Sequence, residues 1–355
     1  MPGRSPRTRW TCTRTIGAGS LASRVNVSSS RPSSRSSTHT PWARWNGFES
    51  VFISDHFQPW RHTGGHAPFS LAWLGALGAR TSRIAMGTSV LTPTFRYHPA
   101  VVAQAFATLG AMFPGRVILG VGSGESLNET PATGMAWPEP KERTGRLREA
   151  VDVIEQLWSG ERVSFEGHYY RTHNATIYDR PPQPVPIYVA AAGPVVARLA
   201  GERAQGFICT SGKKPELYRE TLLPAVAAGL AKAGRAADAI DRMIEMKVSF
   251  DTDVERARLD TRFWGALALT ADEKMNVEDA LEMERLADAL PIERAASRWL
   301  VSSDPEEHVE RLAEVIDLGF TELVFHAPGR DQRRFLDVYA QNVLPRLRER
   351  YGAAS

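Results

Sequence analysis

The chain has 355 residues, 43% of them hydrophobic and 23% charged, a composition that excludes a disordered or fibrous protein and suits one large domain or two ordinary ones. It contains no apolar run long enough to cross a membrane as a helix, and two cysteines, Cys12 and Cys209, without a CxxC pair exclude a disulfide framework and suit a reducing cytoplasm. The formal charge of +3 hides an asymmetry: eight arginines and no Asp, Glu or Lys precede Phe48, and subtracting these eight from 43 leaves 35 basic against 40 acidic residues.

Residues 1–46 are dominated by Ser, Arg, Thr and Pro and show neither a helical nor a strand period. Such a stretch reads as disordered, as a transit peptide, as a basic arm for nucleic acid, or as coding sequence translated in a shifted frame. The last reading is favoured, because plausible codons for Thr40 to Trp45 spell a credible helix end when shifted by one base. Nucleic-acid binding is not expected, since the rest of the chain carries no such signal. The segment is therefore placed outside the fold, with Arg24-Val25-Asn26-Val27 as its best short strand candidate.

From residue 47 the pattern becomes regular. Seven apolar runs follow in chain order: ESVFISDH, RIAMGTSVLTP, RVILGVGSGE, VPIYVAAAG, GFICTSGK, MIEMKVSF and ELVFHAPG. Near-continuous Val/Ile/Leu runs suit parallel strands covered on both faces. Between the third and fourth, Leu147, Ala150, Val151, Ile154, Leu157 and Trp158 fall on one face of a helix spanning 143–158. Strand alternating with helix predicts an α/β fold, and seven strands in roughly 300 residues predict an eight-stranded (β/α)8 TIM barrel with its first strand missing or scrambled. The domain reading is thus 1–46 outside the fold and 47–355 a single barrel. GVGSGE lacks a full GxGxxG and sits mid-chain, so an open doubly wound sheet is the weaker alternative.

A barrel gathers its chemistry where strands end. Those positions hold Asp55-His56, Ser89 to Thr92, Ser123-Gly124-Glu125, Ala192-Gly193 and Thr210 to Lys213. His56, His62 and His66 surround Gly64-Gly65, a loop with no helical presentation, so no metal site is expected.

The blocks 54–70, 87–109, 120–129 and 157–171 resemble the bacterial luciferase-like superfamily. GFICTSGK, ADALPIE (287–293) and FHAPGRDQRRF (325–335) are similar to the F420-dependent glucose-6-phosphate dehydrogenases in particular. The resemblance implies a deazaflavin, coenzyme F420, at the barrel mouth, contacted by Asp55, Thr92, Ser123, Gly124, Asn128, Ala192, Gly193, Val195 and Val196. It implies a cis peptide at Ser89-Val90 behind the ring, and a phosphate held by Lys213, Lys274 and Arg298 with Thr210 alongside. It also implies a cytoplasmic homodimer acting on glucose 6-phosphate, with no membrane partner.

Oxidising a hemiacetal to a lactone needs a hydride acceptor and groups that exchange protons near neutral pH. His56 is the natural base on residue type, Glu125 is the second acid/base candidate, and Trp60 stands in the same loop to fix the imidazole or to stabilise the developing charge. Which of His56 and Glu125 gives and which takes stays open. Met275, beside Lys274, departs from the polar residue the resemblance implies. Other deazaflavin or flavin oxidoreductases of the superfamily, or a chain disabled by its altered N-terminus, are the competing functions.

Overall fold

The computed structural model describes residues 9–13 and 47–351. Eight parallel strands close into a ring: β1 (Arg9–Thr13), β2 (Ser50–Ile53), β3 (Ala85–Thr88), β4 (Val117–Val121), β5 (Ile187–Ala190), β6 (Gly206–Thr210), β7 (Asp241–Phe250) and β8 (Glu322–His326). Each pairs with the next, and β8 returns to β1, with Arg9 opposite Glu322 and His326 opposite Thr13. The seven apolar runs are β2 to β8.

The expectation of a missing first strand is corrected here. The slot between β2 and β8 is filled by Arg9–Thr13, inside the segment placed outside the fold. A ring with one strand absent leaves two rows of backbone groups unpaired, and RWTCT offers strand-favouring Trp and Thr. The candidate Arg24–Val27 lies outside the described residues, as does the rest of 1–46 except 9–13.

The ring encloses a small core of Phe52, Ile118, Tyr188, Ile208, Met243 and Val324. A larger core lies between the strands and the surrounding helices α1 (Ser70–Arg80), α2 (Pro99–Met112), α3 (Ser126–Thr133), α4 (Pro140–Ser159), α5 (Pro194–Arg203) and α6 (Leu223–Lys232). In α4 the stripe Leu147, Ala150, Val151, Ile154 and Leu157 is buried, matching the helical period of the sequence. Fully burying each of the Leu, Val and Ile side chains contributes about 1.5–3 kcal/mol.

Between β7 and β8 the chain makes a helical excursion over residues 254–296. Ala266, Leu269, Met283, Ala287 and Leu290 pack there on Leu127 of α3 and on Trp60. Arg61 grips Asp288 with both terminal nitrogens (2.6 and 2.9 Å) and reaches Glu284 (2.9 Å). The excursion and the loop after β2 are thereby tied into one wall above the barrel mouth. Among the described residues no helix is long and apolar enough to cross a membrane.

Candidate active site

Asp55 follows β2 and is buried. Its Oδ1 accepts from Ser70 Oγ (2.6 Å), and its Oδ2 accepts from Arg96 Nη2 and Tyr97 OH (both 2.9 Å). Arg96 also meets Glu129 at 3.2 Å. Burial works against the Arg96 charge, but the carboxylates of Asp55 and Glu129 outweigh it and raise the guanidinium's pKa. Burial and Asp55 push the Tyr97 hydroxyl up, so it stays a proton donor. With three donors on its carboxylate, Asp55 anchors the wall of the site.

Asn128, in the first turn of α3, stands between His56 and Glu125. Its Oδ1 accepts from the backbone N–H of Phe57 (2.9 Å) and Gln58 (3.1 Å). That fixes the orientation of the amide, because two N–H donors require the oxygen there. Its Nδ2 then faces His56 Nδ1 (3.4 Å) and Glu125 Oε2 (3.5 Å). An N–H donor facing Nδ1 favours the neutral tautomer with its proton on Nε2. His56 therefore enters the cavity as a donor, and the acceptor beside it is the Glu125 carboxylate. Glu125 stands at the N-cap of α3, yet its side chain makes no capping bond. Trp60 lies 6.1 Å from the His56 ring, centroid to centroid.

Behind these groups the chain after β3 turns through a cis peptide, Ser89-Val90. Ser54 Oγ donates to Ser89 O (2.9 Å) and Asp55 N to Val90 O (3.1 Å), locking β2 and β3 together at the mouth. Gly124 sits at φ 84°, where a side chain is strained, and a Cβ would meet Thr92 Cγ2 at 2.9 Å. The result is a cavity of about 700 Å³, within the range of cofactor sites. Its wall gathers Asp55, His56, Trp60, Ser89, Val90 and Thr92 from the β2 and β3 side. From the β4 to β6 side it gathers Ser123, Gly124, Glu125, Asn128, Ala192 and Thr210.

Three sequence-predicted contacts lie off that wall. Gly193 is the N-cap of α5, Val195 is exposed in its first turn, and Val196 packs on the outer core. The N-terminus of α5 presents backbone N–H groups without intrahelical partners, a place that suits an anion.

Lys213, Lys274 and Arg298 also lie beyond the cavity wall, but close enough to feel one another's charge. Lys213 is lowered by burial and then by Arg298 and Lys247. Lys274 is lowered by burial, with Arg298, Lys213 and Lys247 adding to it and Glu125 opposing. Burial lowers Arg298 too. Lys274 Nζ sits 5.2 Å from the Trp60 ring centroid, so the cations reach the cavity edge there. Gly212, at φ 74°, lets Arg298 lie against the 211–213 turn, since a Cβ would meet Arg298 O at 2.9 Å. Among the described residues none of the three cations has a carboxylate within 4.0 Å, and Arg298 Nε is buried without a hydrogen-bond partner. Clustered cations lacking counter-ions suit an anionic ligand. Met275 is exposed.

Sequence reasoning missed two groups. One is the buried Arg96–Asp55–Glu129–Tyr97 network. The other is Glu245, Lys247, His326 and Trp264 on the cavity wall. The alternation Glu245-x-Lys247 within an apolar strand was the available signal for the second.

A closed parallel ring with its cavity at the strand ends, and His56 and Glu125 at the rim, defines an α/β barrel with an enzyme-type site. The signature of the Luciferase-like monooxygenase family matches residues 39–322, and the chain belongs to that family. It is 67% identical over 310 residues to a Nakamurella multipartita protein called F420-dependent glucose-6-phosphate dehydrogenase, covering 87% of this chain and 91% of that one. A Microbacterium testaceum protein of the same name is 63% identical, covering 86% and 90%. Among solved structures, an F420-dependent secondary alcohol dehydrogenase in complex with an F420-acetone adduct superposes with a TM-score of 0.85 at 27% identity, covering 96% of this chain and 99% of that one. The coenzyme F420-dependent tetrahydromethanopterin reductase of Methanopyrus kandleri, at 22% identity and TM-score 0.73 over 96% and 99%, shares the fold.

Proposed function

We propose that this chain is an F420-dependent glucose-6-phosphate dehydrogenase, oxidising the C1 hydroxyl of glucose 6-phosphate to a lactone. The observation that carries the reading is its 60–67% identity, over most of both chains, to relatives bearing that name. The cavity supports it: small residues at one side, an uncompensated cation cluster beyond the other.

The residues present fit a flat ring. Gly124 leaves space that a Cβ would take, and Ser89, Val90, Thr92, Ser123, Asn128 and Ala192 stand around the same slot, with Asp55 anchoring it. Gly193, Val195 and Val196, at the N-terminus of α5, would hold an anionic part of the coenzyme. Bound F420 supplies the hydride acceptor. The protein handles the proton: the Glu125 carboxylate takes it from the C1 hydroxyl, and His56 offers a hydrogen bond from Nε2–H into the cavity. Trp60 limits the movement of the imidazole. Thr210, Lys213, Lys274 and Arg298 hold the phosphate and so fix the distance from C6 to the reacting carbon.

The purified protein is expected to reduce F420 with glucose 6-phosphate and to leave NADP untouched. Robust NADP reduction without F420 turnover contradicts the proposal.

A further inference from the structure

We infer that Glu245, Lys247, His326 and Trp264 form a subsite that reads the ring hydroxyls of the sugar, adjoining the groups that take its phosphate. The inference rests on the proposed function and deepens it.

Strand geometry places these groups. Side chains two residues apart share a face, and Met243 of β7 and Val324 of β8 belong to the core inside the ring. Glu245 and Lys247 therefore stand above Met243, and His326 above Val324, in the layers that open to the mouth. The strand register pairs Glu245 with Thr210 and Lys247 with His326. Glu245 Oε1 meets Lys247 Nζ and His326 Nδ1, each at 3.0 Å, and Lys247 Nζ also donates to Thr210 Oγ1. Lys247 is 5% exposed and His326 6%.

A buried ion pair is weak support for a fold, because well-packed apolar residues stabilise as well or better. This pair instead forms part of the cavity wall. Among the described residues, the third ammonium proton of Lys247 and the Oε2 atom of Glu245 have no protein hydrogen-bond partner. One offers a donor and the other an acceptor, the combination that a hydroxyl, both donor and acceptor, can satisfy. Burial opposes the charge on Glu245, but Lys247 and His326 outweigh it and keep the group a carboxylate. Trp264 lies on the same wall, its ring edge-on to His326 with centroids 4.7 Å apart. An aromatic wall covers the C–H face of a sugar while charged groups take its hydroxyls. These residues come from β7, β8 and the 254–296 excursion, whereas the deazaflavin contacts proposed above come from the ends of β2 to β5.

The test measures kcat/KM of the wild type, Lys247→Met and Glu245→Gln with F420 and three sugars: glucose 6-phosphate, 2-deoxyglucose 6-phosphate and galactose 6-phosphate. F420 affinity is followed by fluorescence in parallel. The wild type is expected to prefer glucose 6-phosphate over at least one analogue by about 100-fold or more, as sites built to bond a hydroxyl do. In both variants that preference is expected to fall by about tenfold or more, with F420 affinity unchanged. Glu245→Gln keeps the shape of the side chain and guards against misfolding of Lys247→Met. Equal losses on all three sugars, or unchanged preference in both variants, overturn the subsite while leaving the proposed activity standing. No F420 reduction by the wild type with glucose 6-phosphate overturns both.

Discussion

Replacing Arg298 by alanine is expected to raise the KM for glucose 6-phosphate by about 10- to 100-fold, with a much smaller change in kcat. A hydrogen bond to a charged group contributes about 1.5–3 kcal/mol, and Arg298 is poised to make one. Its Nε is buried without a partner, Gly212 clears the space beside it, and the charges of Lys213 and Lys274 are close by. An anion bound among them removes their mutual repulsion as well as gaining the contact. The same substitution should barely change the much weaker turnover of glucose, which brings no phosphate. Arg298→Lys keeps the charge but loses the fork, and should fall between wild type and alanine. Equal effects on the two sugars would show that Arg298 does not recognise phosphate.

The second large effect is expected at the rim. Glu125→Gln should lower kcat by about 100-fold or more, the usual scale for loss of an acid–base group, with F420 affinity little changed. Gln keeps an oxygen for the Asn128 amide, so the geometry survives and the proton acceptor is lost. His56→Ala should cause a loss of the same order. Asn128 ties the two together, its amide facing Nδ1 of one and Oε2 of the other. Near-normal turnover in either variant would remove that residue from the proton pathway.

Much of the fold was legible in the sequence. Parallel strands covered on both faces must be apolar throughout, so β2 to β8 stood out as unbroken runs ending in polar residues. β1 was not legible. RWTCT is five residues long among Arg, Ser and Thr, and its place is set by the open backbone edges of β2 and β8 rather than by local pattern. The strand-end rule found Asp55, His56, Ser123, Gly124 and Glu125 before any resemblance was invoked. It could not show that Asp55 is saturated by Ser70, Arg96 and Tyr97, because those partners lie 15 to 42 residues away. Lys213 stood at a strand end, whereas Lys274 and Arg298 came from resemblance alone, since separate segments carry them. Glu245 and Lys247 were hidden in MIEMKVSF, read for its apolar content when its alternating charges marked the face toward the cavity.

The most direct measurement uses glucose 6-phosphate carrying deuterium at C1, oxidised by the protein in the presence of F420 in ordinary water. The deuterium is expected in the reduced coenzyme, with a stoichiometric amount of the lactone or its hydrolysis product. Deuterium released to water, or F420 left oxidised while the sugar is consumed, would contradict it.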